Sequence, residues 1–222
     1  MALSNDGNTL AVGAYVEDSS ATGINGNQMD HSMDGAGAVY LFTRSGTTWS
    51  QQAYVKASNP GEGDQFGFSV ALSGDGNSLA VGAIEEASKA TGINGDQADD
   101  SVAGTGAVYV YTRMETKWSQ QAYVKPDGPG GLFGYGVALS GDGSTLAVGN
   151  ENARTGEIYA FARTGTTWSK QGIMRGLNAE GGDNLGWCVA ISADGNTIVA
   201  GSNDEDSILS GVQTDPNLGA HD

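Results

Sequence analysis

Carboxylates and amide carbonyls gather in two stretches that echo each other, EDSSATGINGNQMDHSMDGAG over residues 17–37 and EEASKATGINGDQADDSVAGTG over residues 85–106. Asp18, Asp30 and Asp34 in the first, and Asp96, Asp99 and Asp100 in the second, stand among Asn25, Gln28, Asn94 and Gln97. Carboxylate and amide oxygens are hard ligands of the kind calcium accepts. An ion would relieve their mutual repulsion and offset the entropy lost in ordering a Gly-rich loop. The same composition also makes Asx turns that need no ligand, so spacing alone leaves a calcium site and a self-closed loop both open.

Other chemistry is sparse. His31 and His221 are the only side chains with an ordinary pKa near neutrality, and both lie in acidic stretches without nucleophile-elbow or metal-hydrolase spacing around them. Cys188, the single cysteine, excludes an internal disulfide. It falls on the small-residue face of an apolar strand, where an inert buried thiol is expected. No catalytic constellation emerges, and the residues point toward binding.

The elements that must carry the inserts are strands. FGFSVALSGDGNSLAVGA, residues 66–83, places Phe66, Phe68, Val70 and Leu72 in alternation with small residues, turns at Asp75-Gly76, and returns through Leu79, Val81 and Ala83. That is an antiparallel hairpin with one bulky face. It recurs as MALSNDGNTLAVGA, FGYGVALSGDGSTLAVGN and LGWCVAISADGNTIVAGS, with turn aspartates Asp6, Asp75, Asp142 and Asp194 spaced by 69, 67 and 52 residues. After the first three hairpins come a strand rich in Val, Tyr and Phe (GAVYLFTR, GAVYVYTR, GEIYAFAR) and one built on Trp49, Trp118 or Trp168. Trp recurring at one strand position is read as packing between neighbouring units, in preference to a row of sugar platforms.

Four-stranded antiparallel units in series, with Gly-rich turns and periodic aromatics, are the signature of an all-β propeller. The repeats run 1–65, 66–132, 133–184 and 185–222, about three and a half blades of one partial or incomplete ring. In such a ring the loops between second and third strands share a face with the loops that lead into each innermost strand. Asp64 and Asp183 are therefore expected beside the inserts, together forming a ligand face. Repeat three joins its second and third strands directly, so the extra length in repeats one and two has a use beyond spanning: a ligand-facing or blade-bracing surface.

The pairing of Phe66-Gly67 with Val81-Gly82-Ala83, repeated as Phe133-Gly134 with Val148-Gly149, resembles the FG-GAP repeat of the integrin α-subunit propeller and its bacterial relatives. The proline that often ends that motif is replaced by Tyr15, Ile84, Glu151 and Asn203. Calcium-binding members carry a DxDxDG-type loop between their first two strands. Here Asp6, Asp75, Asp142 or Asp194 is the only carboxylate in each such turn, too few for the six to eight oxygens the ion takes. The resemblance implies adhesion and ligand recognition, with a protein or glycan as the partner.

With 26 acidic against 10 basic residues the net charge is −16, which disfavours nucleic acid and anionic membrane surfaces. No apolar run has the length of a membrane span, and no signal peptide is present in this chain. An extracellular or cell-surface setting, bacterial in origin, is the expectation. Residues 201–222 align without a gap on residues 13–34, so the fourth repeat stops before its third strand. Its second strand is expected to keep an open edge that recruits a second copy of the chain, or residues 203–222.

Overall fold

A computed structural model describes residues 1–128, 131–151, 155–176 and 181–204. Every regular element in them is a strand. The first sheet holds β1 (Ala2–Leu3), β2 (Thr9–Ala14), β3 (Ala38–Ser45) and β4 (Thr48–Val55). The second holds β5 (Phe66–Leu72), β6 (Ser78–Ala83), β7 (Ala107–Met114) and β8 (Lys117–Val124). In the third are β9 (Leu132–Leu139), β10 (Thr145–Glu151), β11 (Glu157–Thr164) and β12 (Thr167–Met174), and a hairpin of β13 (Cys188–Ile191) and β14 (Ile198–Gly201) follows. Strands pair antiparallel in sequence order within each sheet, as blades of an unclosed propeller. The first strand of each blade lies innermost, and β5, β9 and β13 pack side by side along the axis.

Each Asp-Gly turn is closed by its own polar residues. Ser73 Oγ donates to Asp75 Oδ1 (2.5 Å), the Asn77 N–H donates to the same oxygen (2.9 Å), and Asn77 Nδ2 reaches Asp75 Oδ2 (3.1 Å). The same bonds recur around Asp6 and Asp194. At Asp142 the Ser144 N–H leads in holding the carboxyl down to about 2. Both oxygens at Asp75 serve the turn, so neither the carboxylate count nor its geometry suits calcium there.

The blades meet face to face over apolar clusters. Val39, Leu41 and Val55 of the first sheet pack on Phe66, Val81 and Tyr109 of the second. Val108, Val110 and Val124 meet Phe133, Val148 and Tyr159 of the third. The cluster between the third sheet and the hairpin is smaller, with Ala138, Ala147 and Ile158 against Val189, Ile191 and Ile198, because the hairpin brings only two strands. Trp118 and Trp168 are each 5% exposed and donate across the interface to Gln52 (3.0 Å) and Gln121 (2.8 Å) of the preceding blade. Trp49, with no blade before it among the described residues, is 40% exposed.

Two expectations fail for local reasons. Phe66 and Phe68 do not share a face: Phe66 pairs with Ala83 and Ser69 with Gly82, so a bulge absorbs the residues between. The backbone supplies it through Gln65 and Gly67, both at positive φ (59° and 92°). Phe66 enters the core against Tyr109, with ring centroids 5.3 Å apart, while Phe68 turns outward. Cys188 is exposed, not buried, since no blade covers the far side of the hairpin among the described residues.

Candidate functional site

The inserts emerge from β2 and β6 and fold back over the outermost strand of their own blade. Ile24 bridges Val55, the Asn25 N–H donates to Tyr54 O (2.7 Å), the Tyr54 N–H donates to Asn25 Oδ1 (3.0 Å), and the Lys56 N–H reaches Gly23 O (2.8 Å). The second insert repeats this with Ile93 on Val124, Asn94 on Tyr123 and Gly92 on Lys125. Asn25 and Asn94 sit at φ 58° and 57°, a left-handed conformation that asparagine tolerates better than most residues. ATGING is thus a short brace hydrogen-bonded along an otherwise open sheet edge. Asn25 and Asn94, expected on a ligand face, are committed to that brace. Gln28 Oε1 accepts from Gln51 (3.1 Å), and Gln97 Oε1 accepts from Gln120 (3.3 Å) and from the Ser58 hydroxyl.

The insert carboxylates are largely engaged within their loops. Asp18 Oδ1 accepts the Gly35 N–H (2.9 Å), and Asp96 Oδ1 the Ala98 N–H (3.0 Å). Asp30 gathers the Ser20 hydroxyl and N–H and the Ser32 hydroxyl, and the Ser20 hydroxyl leads in lowering its carboxyl to about 2. Asp99 is paired with Lys89 (2.8 Å), which holds it to about 2. Asp34 and Asp100 are exposed. Among the described residues no three His, Cys, Asp or Glu side chains converge on one point.

A buried ion pair anchors each insert, and sequence reading did not anticipate it. Lys56, fully buried, binds Glu17 (2.9 Å). Lys125 binds Glu86 (2.6 Å) and donates to Thr105 Oγ1 (2.5 Å), with both charged side chains about 1% exposed. Burial depresses the Lys125 ammonium pKa while Glu86 acts to raise it. The third blade, which lacks the insert, uses Arg175 on Glu157 (2.8 Å). Lys56 and Lys125 are separated by 69 residues, as are Glu17 and Glu86, and that shared offset was the available signal.

Asp64 lies between the two inserts. Its loop receives both neighbours: the Gly63 N–H donates to Asp34 O (2.9 Å), and the Glu85 N–H donates to Asp64 O (3.4 Å). Asp64 Oδ2 accepts the Gly61 N–H (2.7 Å). Burial, with Glu86 and Asp100 nearby, pushes its carboxyl up to about 6. On the same face Tyr15, Val16, Asp34, Glu62 and Gln65 line an open groove of about 570 Å³. Asp183 is buried at the equivalent loop of the third blade, where its carbonyl accepts the Ser202 hydroxyl. Glu205, Asp206, Asp215, His221 and Asp222 lie outside the described residues, as does most of the 203–222 segment.

Leading away from that groove is a row of aromatic rings, missed by sequence reading because the bulge that exposes them breaks strand alternation. Tyr15 meets Phe68 at 5.6 Å between centroids, Phe68 meets Tyr135 at 4.9 Å, and Tyr135 meets Trp187 at 4.4 Å. Each comes from a different blade. Phe68, Tyr135 and Trp187 occupy the position after the Phe-Gly or Leu-Gly pair.

The glycines of those pairs explain the motif. A Cβ on Gly13, Gly82 or Gly149 would stand 1.9, 2.2 or 2.0 Å from the carbonyl oxygen of Gly67, Gly134 or Gly186 in the next blade. The two halves of the pattern are the two sides of one backbone contact. Residues 49–111 match the FG-GAP repeat family. That FG-GAP stretch runs from the Trp-bearing strand of the first blade to β7 and includes the second insert. No curated protein matches the chain. Among solved structures it is similar to hydrazine synthase from Kuenenia stuttgartiensis, at 17% identity and a TM-score of 0.50 over 90% of this chain and 40% of that one. It is also similar to TolB from Acinetobacter baumannii, at 14% identity and a TM-score of 0.47 over 90% of this chain and 36% of that one. The chain thus spans about two fifths of the length of these structures. The hydrazine synthase likeness is one of fold, that of a β-propeller protein.

Proposed function

We propose that this FG-GAP-type chain is a non-enzymatic recognition or adhesion module of a cell-surface or secreted protein, engaging its partner through the insert-bearing face. The observation that carries the reading is the groove of about 570 Å³ between the first insert and the Asp64 loop, where Tyr15 and Val16 stand exposed beside Asp34 and Glu62. Exposed apolar surface rimmed by polar groups marks binding sites. The braces and buried ion pairs anchor the inserts on that face. A runner-up reading, a glycan- or polymer-binding accessory domain beside a hydrolase, is favoured by the aromatic row.

The test is binding by the whole chain to a panel of immobilised extracellular matrix proteins and glycans, comparing it with the double variant Tyr15→Ala/Val16→Ser. Val16 is 66% and Tyr15 45% exposed and neither belongs to the buried core, so folding should be retained. Saturable binding that falls tenfold or more in the variant, about 1.4 kcal/mol, supports the reading. Saturable binding that the variant leaves unchanged removes the groove as the contact surface, and no binding to any member removes the recognition role.

A further inference from the structure

Neighbouring blades join through one recurring pair of apolar faces. Ala71 and Ala80, on the side of the second blade that looks toward the third, pack with Val137, Leu139, Leu146 and Val148 of the third. Ala138 and Ala147 of the third blade pack in the same way with Val189, Ile191 and Ile198 of the hairpin. Ala2 and Ala11 meet Val70, Leu72, Leu79 and Val81 in the joint between the first two blades. A backbone bond between turns accompanies each joint: the Asn5 N–H donates to Gly74 O (2.9 Å), the Asp75 N–H to Gly141 O (3.4 Å) and the Gly141 N–H to Ala193 O (2.8 Å).

Counting from the turn aspartates carries this pattern to both ends of the described chain. Met1, Leu3, Leu10 and Val12 stand about Asp6 as Val137, Leu139, Leu146 and Val148 stand about Asp142. The latter four are at most 9% exposed, whereas Met1 is 90% and Leu3 55% exposed, with Leu10 and Val12 only half-buried. At the other end Ala190 and Val199 stand about Asp194 as Ala138 and Ala147 stand about Asp142. Both are exposed, Val199 at 63%. One end therefore displays the receiving half of a blade joint and the other end the seating half. Exposed apolar surface of this kind marks an interaction site, and the molecule itself shows three times what fits it.

We infer that two copies of the chain join head to tail, with Ala190 and Val199 of each seated on Met1, Leu3, Leu10 and Val12 of the other. The Ala193 N–H of one copy then faces the Asn5 carbonyl of the other, which repeats the turn-to-turn bond. This interface is independent of the recognition reading, and as a contact of faces it leaves the free edge of β14 unused. The two ends of a single copy stay apart, because its propeller is unclosed. Each copy fills three blade positions and the inner half of a fourth, so the pair fills eight, within the range over which propellers close. A head-to-tail contact either closes or runs on as a filament, and closure on two copies satisfies both ends of both. The net charge of −16 opposes pairing, so the dimer should tighten as added salt screens the repulsion.

The test is sedimentation of the intact chain over a range of concentrations, in about 0.15 M salt, where the screening length is about 8 Å. A species of twice 22.6 kDa is expected at high concentration, and nothing larger. Leu3→Asp and Val199→Asp each place a carboxylate in an apolar joint, and each alone should weaken the dimer about a hundredfold or more. Both residues are exposed in the single copy, so both variants should fold, with an unchanged circular dichroism spectrum as the check. Mixed in equal amounts, the two variants keep one intact head and one intact tail between them. Dimers should then reappear through a single joint, with a dissociation constant between those of the wild type and of either variant alone. A symmetric patch or a damaged fold does not produce that recovery. A monomer at every concentration, a dimer indifferent to either variant, no recovery on mixing, or mass growing beyond two copies would each overturn the inference.

Discussion

Lys125 and Glu86 show what a buried charge does in this protein. With both side chains about 1% exposed and Thr105 closing the network, the pair locks the root of the second insert to the end of β8. Removing one partner strands the other in a poor solvent, so Lys125→Met should destabilise the chain by about 3–5 kcal/mol, while Lys125→Met with Glu86→Leu should recover most of that loss. Urea midpoints of the three proteins decide it, and equal destabilisation in single and double variants would remove the pair as the anchor. Asp64 works in the opposite sense. Its folded carboxyl, raised to about 6 from 3.8, binds a proton more tightly than in the unfolded chain. Its contribution to stability therefore rises as pH falls through 6 toward 4 and is lost as pH rises through 6. Asp30, Asp99 and Asp142, held to about 2, contribute stability that is lost as pH falls from about 4 through 2. Asp64→Asn should raise the urea midpoint at pH 7 and leave it nearly unchanged below the unfolded carboxyl's 3.8. A lower midpoint at pH 7 would mean that the carboxylate is needed as an acceptor more than its burial costs.

At the scale of the element, the inserts and the FG-GAP contact behave differently under change. The braces already satisfy Asn25 and Asn94, and Asp18, Asp30, Asp96 and Asp99 accept from loop N–H groups, hydroxyls or Lys89. Melting in millimolar calcium and in chelator should therefore coincide, and a rise of several degrees with calcium would restore the ion to the inserts. Gly82 has no such slack. A methyl there would lie 2.2 Å from Gly134 O, a backbone atom, and Gly82→Ala should cost at least about 1–3 kcal/mol as overpacking. A neutral effect on the urea midpoint would show that the blades can slide apart at that point. Strand positions were readable because alternation, the Asp-Gly turns and the 69-residue offset are local signals, and β2, β3 and β4 fall close to where the pattern places them. The aromatic row was hidden because a bulge cancels alternation within one residue. The role of the asparagines was hidden because a side-chain amide that could bind a ligand can also bind an N–H, and only the fold says which is nearer.

For the molecule as a whole the open sides matter most. β14 lacks a third strand among the described residues, and Cys188 faces outward from the same hairpin. Self-association through that edge is our proposal for the isolated chain, since an unpaired apolar edge is a template for another strand. Sedimentation should show a concentration-dependent increase in mass, and alkylation of Cys188 should slow in parallel. A monomer at every concentration, with Cys188 labelled at one constant rate, would remove the proposal.

The contact between the glycine of one blade's second strand and the glycine of the next blade's first strand occurs three times with nearly the same geometry. Each such interface joins only neighbours, so a repeat inserted between two others brings both halves of the joint it needs. Nothing in that joint records how many blades there should be. Chain length can therefore change by whole units through duplication or loss, while the loops on the face, which the joint does not read, are left free to diverge.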